Sequence, residues 1–353
     1  MIMKKIFKRE IAFLLTLCIL FSFSSCKVSE SNKKDGEASK KEDVITVTDM
    51  SGRDVEVSKD TKTNTLASTY GVLTPVFVSL GLTDRAVGIA FKNKAFMKMC
   101  DERIGDVGTI GNYNIDQEAM AKANPSVYFC KTGMPQNIEI ASRLGIPTVT
   151  ISAETPEEII KTYRLVGKVC GVEERAEEIA SYIEAQLENI KTVTAGIKDE
   201  NKPTALVLGT QPGRVAGDDM LQTCLLEYAG SVPVIKGIND KTNWVDIGTE
   251  KVFELNPEYI FVTSSGALDY KVEDLMSDKA WSAVKAVKSG NVYKIPAQKD
   301  SWDMPGTGFV LATYFMINKM HPECFSDEQL QKKVDEFYKT MYGKTFDGEA
   351  IGY

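Results

Sequence analysis

Histidine is almost missing from this chain: His321 is the single imidazole in 353 residues. Sites that seize a bare transition metal draw on several imidazoles, so direct capture of a metal ion is a poor reading. His321 closes an expected helix just before Pro322, where a structural role suits it. No Cys-x-x-Cys occurs among the seven scattered cysteines, which argues against zinc. Five of them, Cys100, Cys130, Cys170, Cys224 and Cys324, fall in the body of the chain. Their odd number leaves free thiols open alongside one or two disulfides. There is no Gly-x-Ser-x-Gly elbow, no His-Glu-x-x-His and no complete P-loop. Gly343-Lys344-Thr345 lacks the upstream glycine, and Gly306-Thr-Gly308 lacks the third. Catalysis, a resident cofactor and a metal centre therefore find no support. The net charge of -7, with no basic patch, argues against a nucleic-acid partner.

What is present begins with an export signal. Lys4, Lys5, Lys8 and Arg9 precede an apolar run from Ile11 to Phe23, too short for a permanent bilayer helix but suited to a signal peptide. The run ends in Phe23-Ser24-Ser25-Cys26, similar to the lipobox at which a bacterial lipoprotein is cut and lipidated on cysteine; an ordinary signal peptide is the other reading. The lipobox predicts an exported protein anchored to the outer face of the cell membrane through Cys26. Acylation by more than one chain makes such an anchor firm. Residues 27–43 are Lys, Ser, Glu and Asp with almost nothing apolar, a solvated tether. No second hydrophobic span follows.

Beyond the tether, Val44 to Val57 alternates on both sides of a turn near Ser51-Gly52, which predicts a hairpin. Short β-branched runs (Thr65–Ser68, Ala86–Ala90, Val127–Phe129, Thr148–Ile151) then alternate with amphipathic segments, the pattern of βα units on a mostly parallel sheet. From Glu173 to about Lys198, Ala176, Ile179, Ile183, Leu187 and Ile190 recur at helical spacing without a break before Gly196. Such a helix is on the order of 35 Å long. It is either a surface helix of one lobe or a strut between two. The βα texture resumes after Pro203, with strands at Thr204–Gly209, Tyr259–Thr263 and Asn291–Ile295 and helices at Thr307–Met320 and Asp327–Met341. The expected fold is α/β: two lobes with mostly parallel sheets, 44–172 and 199–353, joined by a single long helix over 173–198.

Two stretches say nearly the same thing. Ile115, Glu118, Asn124, Pro125 and Phe129 recur as Ile247, Glu250, Asn256, Pro257 and Phe261 at a constant offset of 132 residues. A repeat this distant implies similar lobes rather than a solenoid. Each lobe thereby offers one carboxylate in the first turn of a helix, where the dipole favours it. Either glutamate taken singly could simply stabilise its helix.

Several pieces, each weak alone, occur in a telling order: Val47-Thr-Asp49-x-x-Gly52-Arg53, Leu80-Gly-Leu-x-Asp84-Arg-x-Val87-Gly88, Gly111-x-x-Asn114-x-x-x-Glu118, Leu144-Gly145-Ile-Pro147, Glu250-x-Val252-x-x-Leu255-Asn-Pro257, Trp281-x-x-Val284-x-Ala286 and Ser301-Trp302-Asp303-x-Pro305. Together they resemble the bacterial periplasmic-binding-protein family that captures iron–siderophores, haem and cobalamin for ABC importers, over about Val44 to Tyr342. The resemblance implies a binding protein that holds a metal–organic complex in a ligand cleft between its two lobes and docks on an ABC permease dimer with its ATPase. Glu118 and Glu250 match the acidic residues that meet the permease. A ferric siderophore is the first ligand choice, then cobalamin, then haem. A chelatase on the same fold and a sensor without a permease are the rivals.

Ligands of βα folds sit beyond the carboxyl ends of strands. That rule selects Tyr70, Tyr113, Trp244 and Trp302 as stacking platforms, and Lys131, Arg214 and Lys299 as cations for an anionic chelate, with Asp303 beside them. Tyr70 or Tyr113 could also ligate a haem iron.

Overall fold

Asp49 shows how the first hairpin is fastened to the body of the molecule. Strands Val44–Thr48 and Asp54–Ser58 pair antiparallel, with Val47 opposite Val55. At the turn, the buried Asp49 carboxylate accepts hydrogen bonds from the backbone of Ser51 and Arg53, the Arg53 guanidinium, and both the N–H and the hydroxyl of Thr150. Burial alone would raise its pKa, but these donors outweigh it and hold the carboxyl below its usual range. The computed structural model describes residues 43–90, 94–237, 243–264, 266–296 and 300–353. The leader, Cys26, the tether up to residue 42 and Lys299 lie outside them.

The first lobe is built on a fully parallel four-stranded sheet in the order Ala86–Gly88, Leu66–Ser68, Val127–Lys131, Thr148–Ile151. Its two last strands are almost wholly buried, as continuous β-branched and aromatic runs require when helices cover both faces. The second lobe carries a six-stranded mixed sheet. Thr204–Leu208 and Tyr259–Val262 form its parallel centre, with Val292–Lys294 on one side and the short strands Arg214–Val215 and Val245–Asp246 on the other. Sequence patterning does not reveal those short strands, because two residues carry no period.

Between the sheets runs the long helix Glu173–Thr194, about 33 Å from end to end. It stops at Thr194, before Gly196 and earlier than the pattern suggests, and the chain turns through Asp199–Asn201. Ala176, Ile179, Ala180, Ile183 and Ile190 form its buried face. At its start it crosses the helix Pro156–Cys170 so closely that a Cβ on Gly167 would lie 2.4 Å from the Ala176 methyl. Further along it packs on Phe309–Met320 of the second lobe.

Packing joins the lobes at a second place. The helix Asp327–Tyr342, opened by a capping box at Ser326 and ended by left-handed Gly343, lies against the first lobe. Phe96 meets Tyr338, Tyr342 and Phe346 edge-on or tilted, with ring centroids 5.5 to 6.1 Å apart. Arg175 donates to the carbonyls of Ser79, Thr340 and Met341, tying strut, first lobe and last helix together. The covalent crossing is single, but one apolar core runs through both lobes. Two α/β lobes linked by a long helix are thus the architecture.

Candidate functional site

The carboxyl ends of the first lobe's strands bring together Tyr70, Tyr113, Lys131 and Glu154. Tyr70 follows Leu66–Ser68, Lys131 ends its own strand, and Glu154 follows Thr148–Ile151. Tyr70 is 2% exposed, and its hydroxyl donates to Glu154 Oε1 at 2.9 Å. Lys131 Nζ lies 2.5 Å from the same oxygen and 5.6 Å from the centroid of the Tyr70 ring. Burial, then the Glu154 charge, push the Tyr70 phenol far above its ordinary pKa, so it stays a protonated donor. Glu154 escaped sequence analysis. The strand-end rule that selected Lys131 selects it equally, but a glutamate just before the Thr155 N-cap looks like helix dressing.

Tyr113 stands out by its backbone. Its φ is +60°, a conformation costing roughly 1–2 kcal/mol for a residue with a Cβ. Three hydrogen bonds hold it there. Its N–H donates to the Thr69 carbonyl, and its own carbonyl accepts from Thr69 Oγ1 and Asn137 Nδ2. The result is a ring 41% exposed, 6.1 Å from that of Tyr70. A large aromatic is thus held out of the core on strained backbone.

The second lobe contributes Arg214, Trp244 and Tyr270. Arg214 begins a short strand opposite Asp246. Its guanidinium is half-buried and makes no hydrogen bond or ion pair among the described residues. Trp244 packs on Gly209, where a Cβ would come within 2.8 Å of the indole; only glycine permits that approach. Tyr270 donates its hydroxyl to the Gly209 carbonyl at 3.0 Å. Alongside, a cavity of about 760 Å³ is lined by Ser264, Gly266, Tyr270, Lys271, Tyr293 and Lys294.

Trp302 and Asp303 do not belong to this surface. Trp302 is fully buried; its indole N–H donates to Tyr338 and its ring sits 5.1 Å from that of Tyr353. It is a core residue locking the last helix, and no face of it is free for stacking. Asp303 is also fully buried. It accepts from the Thr263 hydroxyl and from both the N–H and hydroxyl of Ser264, so it ties a loop to the end of a strand. Lys299 lies outside the described residues. The five described cysteines are free thiols, and His321 is buried with Nε2 3.1 Å from the Gly230 carbonyl, a structural helix end.

Glu118 and Glu250 are both exposed, each in the first turn of a seven-residue helix, Gln117–Ala123 and Thr249–Leu255. Asp116 caps the first, its carboxylate accepting from the Ala119 N–H, whereas left-handed Gly248 opens the second. The side chains of Glu118 and Glu250 are therefore not consumed as caps. No helix among the described residues is long and apolar enough to cross a membrane.

The periplasmic binding protein family model matches residues 66–299, from the first parallel strand to the loop before Trp302. The uncharacterized ABC transporter substrate-binding lipoprotein YvrC of Bacillus subtilis is 24% identical over 306 residues, covering 84% of this chain and 92% of that one. The molybdate-binding protein MolA of Haemophilus influenzae is 23% identical over 308 residues, 77% of this chain and 84% of that one. A periplasmic solute binding protein of Veillonella parvula superimposes with a TM-score of 0.75 at 27% identity, over 87% of this chain and 95% of that one. The chain belongs to the periplasmic binding protein family: it is an extracytoplasmic solute-binding protein of the ABC-transporter class, a carrier and not an enzyme.

Proposed function

We propose that this carrier holds a metal–organic complex, first of all a ferric siderophore, between its lobes and delivers it to an ABC permease dimer with its ATPase. The exposed, strained ring of Tyr113 carries the reading. A small oxyanion such as the molybdate in MolA's name needs donors and charge but no aromatic platform, whereas the organic shell of a chelate presents flat surface to stack. Arg214, with no side-chain partner among the described residues, suits an anionic oxygen on such a ligand. Lys131 and Trp244 complete the contact set, and Tyr70, 2% exposed, backs Lys131 through the Glu154 oxygen they share. Cobalamin is the second choice. Haem comes third, because the Tyr70 hydroxyl is engaged with Glu154 and its phenol resists ionisation, leaving only Tyr113 to ligate iron.

Delivery runs through Glu118 and Glu250, one exposed carboxylate per lobe offered to a two-fold partner. The protein is held to the outer face of the cell membrane by a lipid on Cys26, as YvrC's description as a lipoprotein supports. The deciding experiment is a binding screen by visible absorption and fluorescence titration with a ferric siderophore, cobalamin and haem. Saturable binding of the siderophore at micromolar or lower concentration is expected. Binding of cobalamin or haem alone would reassign the ligand, and tight binding of molybdate alone would remove the metal–organic reading.

A further inference from the structure

Glu154 is the least expected member of the first lobe's half-site. It contacts two of the ligand candidates at once, through one oxygen: Oε1 accepts from Tyr70 and lies against Lys131. The Lys131 and Glu154 side chains are each about a third exposed, at 33% and 35%, so both remain within reach of a ligand. Behind them, Glu158 is committed elsewhere, its Oε2 accepting from the Ser152 hydroxyl and the Glu154 N–H. That backbone bond fixes where Glu154 starts. Arg214 of the second lobe has no such counter-ion among the described residues. Of the three cations assigned to the ligand surface, the two that lie within the described residues are therefore unlike: Lys131 is already neutralised and Arg214 is not.

We infer that Glu154 is the specificity-determining residue for ligand charge: by occupying Lys131 it keeps the first lobe from attracting anions, and it leaves anion recognition to Arg214. The inference rests on the metal–organic reading above. Two like cations facing a bound chelate would favour highly anionic ligands indiscriminately; one cation opposite a Lys–Glu pair passes chelates of lower charge. The exposed ring of Tyr113 then selects on shape. Tyr70 contributes as a positioning residue, since its hydroxyl holds the shared oxygen in place.

The test is the ratio of affinities of the purified full chain for two ferric chelates of opposite charge, the ferric citrate anion and the ferrioxamine B cation, read by fluorescence titration. Glu154→Gln keeps an acceptor for Tyr70 and removes the charge; it should move the ratio toward ferric citrate by about tenfold or more. Lys131→Met removes the opposite charge and should move the ratio toward ferrioxamine B. The double variant should return near the parent ratio, as a coupled pair does, and Glu154→Asp should retain it. A merely structural role would weaken both chelates together in every variant. Single-variant ratios within about twofold of the parent, or shifts of the same sign, would overturn the charge assignment while leaving the metal–organic reading in place. Failure of the parent protein to bind either chelate would overturn the charge assignment together with the ferric-siderophore choice.

Discussion

Asn124 and Asn256 adopt the same backbone conformation, with φ and ψ of 43° and 57° in one and 45° and 56° in the other. Each ends a seven-residue helix, precedes a proline, and leads three residues later into a parallel strand. Asparagine tolerates this left-handed turn better than any residue but glycine. The matching turns place Glu118 and Glu250 at matching points of their lobes, one helix length upstream.

That equivalence underlies the first prediction. Reversing both charges, Glu118→Arg with Glu250→Arg, should abolish transporter-dependent uptake in cells while ligand affinity in titration stays within about twofold. Neither side chain supports a fold contact as a cap, so the melting temperature should hold. Loss of affinity in the purified variant would move both residues into the ligand surface instead.

Trp302 should behave as core. Trp302→Phe removes the N–H donated to Tyr338 and leaves a buried gap, costing roughly 1–3 kcal/mol in denaturant unfolding. Ligand affinity of the folded variant should be unchanged. Intact stability with a raised dissociation constant would place the indole in the ligand site.

Gly167 tests the crossing of strut and first lobe. A Cβ there would meet the Ala176 methyl at 2.4 Å, so Gly167→Val should destabilise by about 1–3 kcal/mol or more, by pushing the two helices apart. Equilibrium unfolding measures it. Pairing Gly167→Ala with Ala176→Gly should recover most of the loss if the contact is its cause.

Asp300 makes the fold pH-sensitive. Burial raises its carboxyl from 3.8 to about 6, against the hydrogen bond that its Oδ2 accepts from Tyr338. A raised carboxyl pKa means that the folded state holds the proton more tightly than the unfolded one. Its favourable contribution is complete below about pH 4 and is lost as pH rises through about 6. Asp300→Asn should therefore raise the melting temperature by a few degrees at pH 8 and change it little at pH 4. An equal change at both pH values would refute the assignment.

What the chain determined by itself is its local order and its doubling. Strand Thr148–Ile151, the start of the helix at Glu173 and the Ser326 and Gly343 boundaries all match their patterns, because period, caps and breakers act over a few residues. The repeat of Glu118 in Glu250 was legible for the same reason. Tertiary structure decided which loop residues face a ligand. Trp302 and Asp303 follow a strand as Tyr113 does, yet Tyr338 holds the first in the core and Thr263 and Ser264 hold the second, partners distant along the chain. Glu154 and Lys131 were equally distant until two parallel strands set their ends side by side. Burial and ion pairing depend on neighbours in space, and no short-range pattern encodes them.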